Sequence, residues 1–117
     1  DMIATDHAPH SAEEKSKGLE KSAFGIVGLE TAFPVMYTLL VKPGILSEER
    51  LVELLAIRPR ERFGIGYDNA FSVWDMEASY KVDPQEFLSC GKATPFEGKE
   101  LYGRCVLTVR NGQPVYR

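Results

Sequence analysis

The chain has two histidines, and both fall in the run Thr5-Asp6-His7-Ala8-Pro9-His10. This run follows the short apolar segment Met2-Ile3-Ala4, so a carboxylate stands at the end of an expected strand with an imidazole four residues on. A carboxylate just past a strand end lies where α/β enzymes place their reacting groups. It can ligate a metal ion or take a proton from a metal-bound water. His10, held by a turn containing Pro9, can orient a substrate anion or serve as a ligand. The residue types alone leave a second reading open, in which Asp6 caps a turn and backbone groups satisfy both imidazoles.

The elements around this run follow from pattern. Met2 to Thr5 reads as the end of a buried strand, apolar and then polar. Residues 11–25 are charged, contain glycine and have weak periodicity, which predicts a long surface loop beside the site. Leu29, Phe33, Met36, Leu39 and Leu40 fall near helical spacing, with Pro34 tolerated early, and Pro43-Gly44 stops that helix. Ser47 is the expected N-cap of a second helix, with Glu48 and Glu49 in its first turn and Leu51, Leu54 and Leu55 on one apolar face. Pro59 opens a further turn through Phe63, ended by Gly64 and Gly66.

The texture then becomes β. Residues 70–75 and 104–109 read as strands, the latter alternating Cys105, Leu107 and Val109 against Val106 and Thr108. Asn111-Gly112 is a strong hairpin signal leading into Val115-Tyr116, and Pro114 marks an edge strand. Trp74, Phe71 and Tyr80 are expected in the core of this segment, while Asp68 and Asp75 serve turns. Arg58, Arg60 and Arg62 alternate and so do not share a helical face; they are read as surface or inter-segment contacts. Lys15 and Lys17 are read as solvated, with steering of an anionic substrate as the sharper alternative.

Bulk properties narrow the class. The 117 residues carry 14 Lys and Arg against 17 Asp and Glu, a net charge of -3, which argues against nucleic acid as a partner. One domain at most is expected at this length. No apolar run approaches the roughly 18 residues of a membrane span. The start lacks the regions of a signal peptide, and a cytoplasmic location is expected. Cys90 and Cys105 have neither CxxC spacing nor a nearby histidine, so two reduced, partly buried thiols are expected.

Three separate motifs carry a resemblance. Ile3 to His10, then Glu13-Glu14-Lys15, then Phe24-Gly25-Ile26-Val27-Gly28-Leu29-Glu30-Thr31 resemble the C-terminal third of a bacterial type I dihydroorotase, in the amidohydrolase superfamily. Thr94 to Lys99, Leu101 to Arg104 and Val109 to Gly112 are similar to that family's closing β segment. The resemblance implies an α/β fold: the C-terminal fragment of a (β/α)8 TIM-barrel metal-dependent amidohydrolase with part of a small β-sandwich domain. Residues 1–66 would be the last βα unit of the barrel with its active-site loop. Residues 67–117 would be the C-terminal β segment of the composite sandwich.

The implied activity is the zinc-dependent reversible cyclisation of N-carbamoyl-L-aspartate to dihydroorotate, in de novo pyrimidine biosynthesis. By the resemblance, Asp6 is both catalytic and a zinc ligand, carrying a proton between the attacking hydroxide and the leaving amide nitrogen. His10 matches the residue that binds the substrate carboxylate. Phe24 and Gly25 match a loop whose backbone contacts the pyrimidine ring, and His7 is read as structural. His10 favours dihydroorotase over dihydropyrimidinase, and the full Asp-His-Ala-Pro-His favours it over allantoinase.

The complete enzyme would hold one or two Zn2+ ions. A catalytic zinc takes about three protein ligands, and this chain offers Asp6 and at most one imidazole. The remaining ligands, and an arginine partner for His10, are expected upstream of Asp1, so the 117 residues alone are expected to be inactive. The expected partners are the N-terminal part of the barrel and, once complete, a second copy in a homodimer; the family also admits aspartate carbamoyltransferase. Residues 70–117 are expected to expose an apolar face unless another chain covers it. The alternative reading is a non-catalytic dihydroorotase-like assembly subunit or remnant, or a related cyclic amidohydrolase such as allantoinase. Intact Asp6 and His10 favour the enzyme.

Overall fold

The computed structural model describes residues 1–117. Helices occupy the first half and an antiparallel sheet the second. The first helix, α1 (Ala12–Lys15), sits inside the segment expected to be a plain loop. It forms because Ser11 and Glu14 make a capping box: the Ser11 hydroxyl accepts from the Glu14 backbone N–H, and the Glu14 carboxylate accepts from the Ser11 N–H. This satisfies the free donors of a first turn from both ends.

The helix α2 (Ala32–Met36) runs on into a π-helical stretch, Tyr37–Val41. Pro34 lies in the first turn of α2, where its missing N–H breaks no helical bond, and it is buried. The helix α3 (Glu48–Val52) begins where the sequence places it, with the Ser47 hydroxyl accepting from the Arg50 N–H at 3.2 Å. It continues through a π-helical stretch, Glu53–Ile57, into α4 (Arg58–Phe63), which Gly64 closes in a left-handed conformation. The three arginines expected at the surface make ion pairs or none: Arg58 pairs with Glu53 and Glu61, and Arg60 pairs with Asp68 at 3.0 Å.

The sheet has the order β1 (Ala70–Lys81), β2 (Glu100–Arg110), β3 (Gln113–Tyr116), all antiparallel. Asn111 and Gly112 both have positive φ, as a tight primed hairpin turn requires, and Pro114 lies on the edge strand β3. The strand β1 runs six residues past the expected end. Its register breaks between Asp75 and Ser79, where the Asp75 carboxylate accepts from the Glu77 and Ala78 N–H groups. The aspartate expected at a turn thus caps a bulge that lets the strand continue.

Val35 of α2, Val82 and Leu101 form the centre of the core, with Met36, Tyr80, Phe87 and Phe96 packed around them. Trp74 packs against Phe33 with ring centroids 4.2 Å apart and the ring planes tilted by 31°. Phe71, expected inside, is 58% exposed; it lines an open groove against the helical half and not a closed core. Only 13 of 117 residues are buried, few for a chain of this length to stand on alone. Both cysteines are free, Cys105 half-buried and Cys90 exposed rather than partly buried. No helix is long and apolar enough to cross a membrane.

Candidate functional site

Met2 to Thr5 does not form a regular strand. A parallel strand needs a neighbour along its length, and the chain provides only scattered partners: Ile3 N–H donates to the Leu54 carbonyl at 3.0 Å, and His7 bridges in parallel to Ile26. What holds this segment is a set of single bonds between three loops. Ala8 N–H donates to the Ile26 carbonyl at 2.9 Å, and Val27 N–H donates to the Ala93 carbonyl at 2.9 Å. Residues 5–10, 23–29 and 91–93 thus lie layer on layer.

Asp6 sits at the turn of the first layer with φ 45°. This left-handed region is uncommon outside glycine, and Asp is among the few residues that tolerate it. Its carboxylate is exposed and has no ion-pair partner. Backbone strain of this kind persists where surrounding contacts over-determine it, and His7 provides them. The His7 Nδ1 accepts from the Gly28 N–H at 3.1 Å and the Leu29 N–H at 3.2 Å. Nδ1 therefore carries no proton, and in the neutral ring Nε2 does. His7 is a structural strut, as the sequence reading holds.

His10 is fixed differently. Its Nε2 lies 2.8 Å from the Phe24 carbonyl and donates to it, since a carbonyl only accepts. Its Nδ1 lies 3.7 Å from the Glu14 carboxylate. Two N–H and hydroxyl bonds from Ser11 hold the Glu14 carboxyl below its ordinary value, with His10 adding to the effect. Phe24 is 91% exposed, so its backbone, not its ring, joins the site. Gly25 has φ 123°, and a Cβ there would overlap that of Ala8; only glycine lets the second layer pass so close to the first. The structure thus brings Asp6, His10, Phe24 and Gly25 to adjoining loops.

Three contributors escape sequence reasoning. Gly91 lies flat against the Pro9–His10 peptide: a Cβ on it would meet the His10 O at 2.7 Å and the His10 N at 2.8 Å. Glu30 anchors the same distant loop, accepting from the Leu88 N–H at 2.7 Å and from the Ser89 N–H and hydroxyl. Lys15 donates to the Ala23 and Gly25 carbonyls at 2.8 and 3.0 Å, so it is not a solvated surface charge. The Glu13-Glu14-Lys15 run carries a capping-box spacing from Ser11 that could have exposed the last of these.

The residues present do not make a metal site by themselves. No three His, Cys, Asp or Glu side chains lie together anywhere in the chain. Of the nearby groups, His7 Nδ1 is committed to two backbone donors and His10 Nε2 to a carbonyl, while the Asp6 carboxylate has no ion-pair partner.

No family model matches the chain. A dihydroorotase from Bacillus cytotoxicus is 46% identical over 124 residues, covering 100% of the chain and 29% of the relative. One from Bacillus thuringiensis is 47% identical over 120 residues, covering 97% and 28%. The chain belongs to the dihydroorotase family. It matches the C-terminal part of these relatives and spans under a third of their length. Among solved structures, the L-hydantoinase (dihydropyrimidinase) of Arthrobacter aurescens superposes with a TM-score of 0.89 at 36% identity, covering 100% of the chain and 29% of the hydantoinase. The D-hydantoinase (dihydropyrimidinase) of a Thermus species gives 0.87 at 24% identity, covering 100% and 28%, a likeness of fold. Mixed helix and sheet in this order is thus the form of the C-terminal part of amidohydrolase proteins, and dihydroorotase relatives mark the family as cyclic amide hydrolases.

Proposed function

We propose that this chain is the C-terminal part of a dihydroorotase, interconverting N-carbamoyl-L-aspartate and dihydroorotate in pyrimidine synthesis once joined to the rest of a barrel. The observation that carries the reading is Asp6: a free, exposed carboxylate held at φ 45° just before two histidines that are both tied to the loop at 23–29. In ring opening, Asp6 takes a proton from the water that attacks the ring amide carbonyl. It then gives that proton to the amide nitrogen as the C–N bond breaks; ring closure runs the same path backwards. His10 holds the substrate carboxylate through a proton on Nδ1, the ring nitrogen that the Phe24 carbonyl leaves free, while the backbone at Phe24 and Gly25 lies along the pyrimidine ring. One or two zinc ions, when bound through Asp6 and ligands from the rest of the protein, would supply a Lewis acid for the carbonyl.

In this reading residues 1–66 complete a (β/α)8 barrel and residues 67–117 complete a small β-sandwich. Support comes from what the chain leaves open. The strand β1 has a neighbour on one edge only. Beside it, a groove of about 820 Å³ runs between α3 and β1, lined by Phe33, Leu51, Leu55, Phe71 and Trp74 among others. The N-terminal part of the same polypeptide is the partner proposed for these surfaces, with homodimer formation following completion.

The test is a chimera in which residues 1–117 replace the matching C-terminal part of the Bacillus thuringiensis dihydroorotase. Turnover of carbamoyl aspartate is expected, with Asp6→Asn lowering kcat by about 10²–10⁴-fold at unchanged melting temperature. A well-folded chimera without turnover would support the non-catalytic subunit reading instead. Preference for hydantoin over dihydroorotate would favour a hydantoinase, the reading that the 36% identical structure keeps in play.

A further inference from the structure

The loop at 23–25 is held from two sides, and one side has no role in the chemistry above. Lys15 is half-buried at the end of α1, and its ammonium donates to the carbonyls of Ala23 at 2.8 Å and Gly25 at 3.0 Å. Between those two carbonyls, the Phe24 carbonyl takes the His10 Nε2 proton at 2.8 Å. Around Lys15 the contact is reinforced by the Ser22 hydroxyl donating to the Lys15 carbonyl at 2.8 Å and by the Ala23 N–H donating to the Glu14 carbonyl at 3.4 Å. The capping box of Ser11 and Glu14 keeps this single helical turn in place.

The neighbouring Lys17 offers an internal contrast: it is exposed, three residues past Glu14 on the same short segment, and has no ion-pair partner. An ammonium that leaves water to bind two carbonyls exchanges strong hydration for charge-assisted bonds. That exchange fixes two peptide groups at once and therefore the plane of the carbonyl between them. Gly25, at φ 123°, has no side chain to restrain it, so the angle of the strip rests on the Lys15 ammonium together with the few backbone contacts named above.

We propose that Lys15 is a positioning residue: it sets the Ala23–Gly25 strip and, through the Phe24 carbonyl, the orientation of the His10 imidazole toward a carboxylate-bearing substrate. Lys15 touches no substrate. This rests on the dihydroorotase reading, in which His10 faces the substrate carboxylate, and deepens it by naming what orients that group. Removing the ammonium lets the carbonyls turn to water and the imidazole follow, so binding of the carboxylate weakens while proton transfer at Asp6 continues.

The experiment uses the chimera with Lys15→Met, Lys15→Arg and, as the control, Lys17→Met. Lys15→Met is expected to raise KM for carbamoyl aspartate by about tenfold or more, the equivalent of one charged hydrogen bond, with kcat changed by under about threefold. Lys15→Arg keeps the charge and is expected to restore part of the affinity, and Lys17→Met to change nothing. Hydrogen exchange at the Ala23 and Ala8 amides, which donate to the Glu14 and Ile26 carbonyls, should quicken in Lys15→Met alone. The proposal is overturned if kcat falls while KM holds, if Lys17→Met matches Lys15→Met, or if exchange at those amides is unchanged. Absence of turnover in the unsubstituted chimera would sink the dihydroorotase reading instead, and the exchange rates would still decide whether Lys15 fixes the strip.

Discussion

The loops around Asp6 and the sheet at residues 70–116 are built on opposite plans. The loops have almost no regular secondary structure, yet nearly every turn of backbone has a named partner: His7 for Gly28 and Leu29, His10 for Phe24, Lys15 for Ala23 and Gly25, and Gly91 against His10. The sheet is regular, with a long ladder between β1 and β2, but it leaves Phe71, Val73, Val106 and Val115 exposed and a groove open along β1. Order in the first region comes from contacts within the chain. In the second it comes from the ladder, and the burial that normally accompanies a ladder is missing. The first region is thus fixed by contacts within the chain, while the second leaves apolar surface uncovered.

The sharpest way to break this contrast is to make the same substitution in two settings. Phe71→Ala in the isolated chain should shift urea unfolding by under about 0.5 kcal/mol, as exposed positions do. In the chimera, where the groove is expected to be filled, it should cost about 3–5 kcal/mol. Equal effects in both would mean that β1 faces solvent in the complete protein as well.

Next in size is Gly91→Ala. Its Cβ would press on the His10 backbone at 2.7–2.8 Å, so a cost of about 1–3 kcal/mol and a raised KM for carbamoyl aspartate are expected from unfolding and steady-state assays. A loss of stability with KM untouched would show that the loop at 91 yields without moving His10.

The smallest effect concerns Glu14. Its carboxyl is lowered below 4.5 chiefly by the backbone and hydroxyl bonds from Ser11. A lowered folded-state value means the contribution is complete above the unfolded value and fades as pH falls through the folded one. The protection factors of the Ser11 and Glu14 amides, taken against intrinsic rates at each pH, should therefore fall at pH values below the ordinary glutamate range, and Glu14→Gln should remove that dependence. A change above pH 5 would point to another group.

Much of this was legible in the residues. Ser47 with Glu48 and Glu49 marked a helix start, Asn111-Gly112 marked a hairpin, and the Asp6 to His10 run pointed to the loops that carry the candidate site. What was not legible arises from long-range or local exceptions. Helix α1 hid in a charged run because a capping box needs only four residues, too few for periodicity to show. The strand expected at residues 2–5 has a suitable pattern, but a pattern cannot supply the neighbours a parallel ladder needs. The full length of β1 depended on Asp75 bridging a bulge, and Phe71 read as core because alternation says which side a residue faces and not whether anything lies there. Gly91 and Glu30 carried no signal, since their roles exist only once distant loops meet.

The meeting of Gly91 with the Pro9–His10 peptide also bears on how the molecule reaches its native state. It joins residues from near the two ends of the sequence, so the loop closure it requires carries an entropic penalty that the compact hairpin of β2 and β3 avoids. Such a contact is expected to form after the rate-limiting step of folding, so Gly91→Ala should hasten unfolding more than it slows folding; a matching drop in the folding rate would instead place this junction in the folding nucleus.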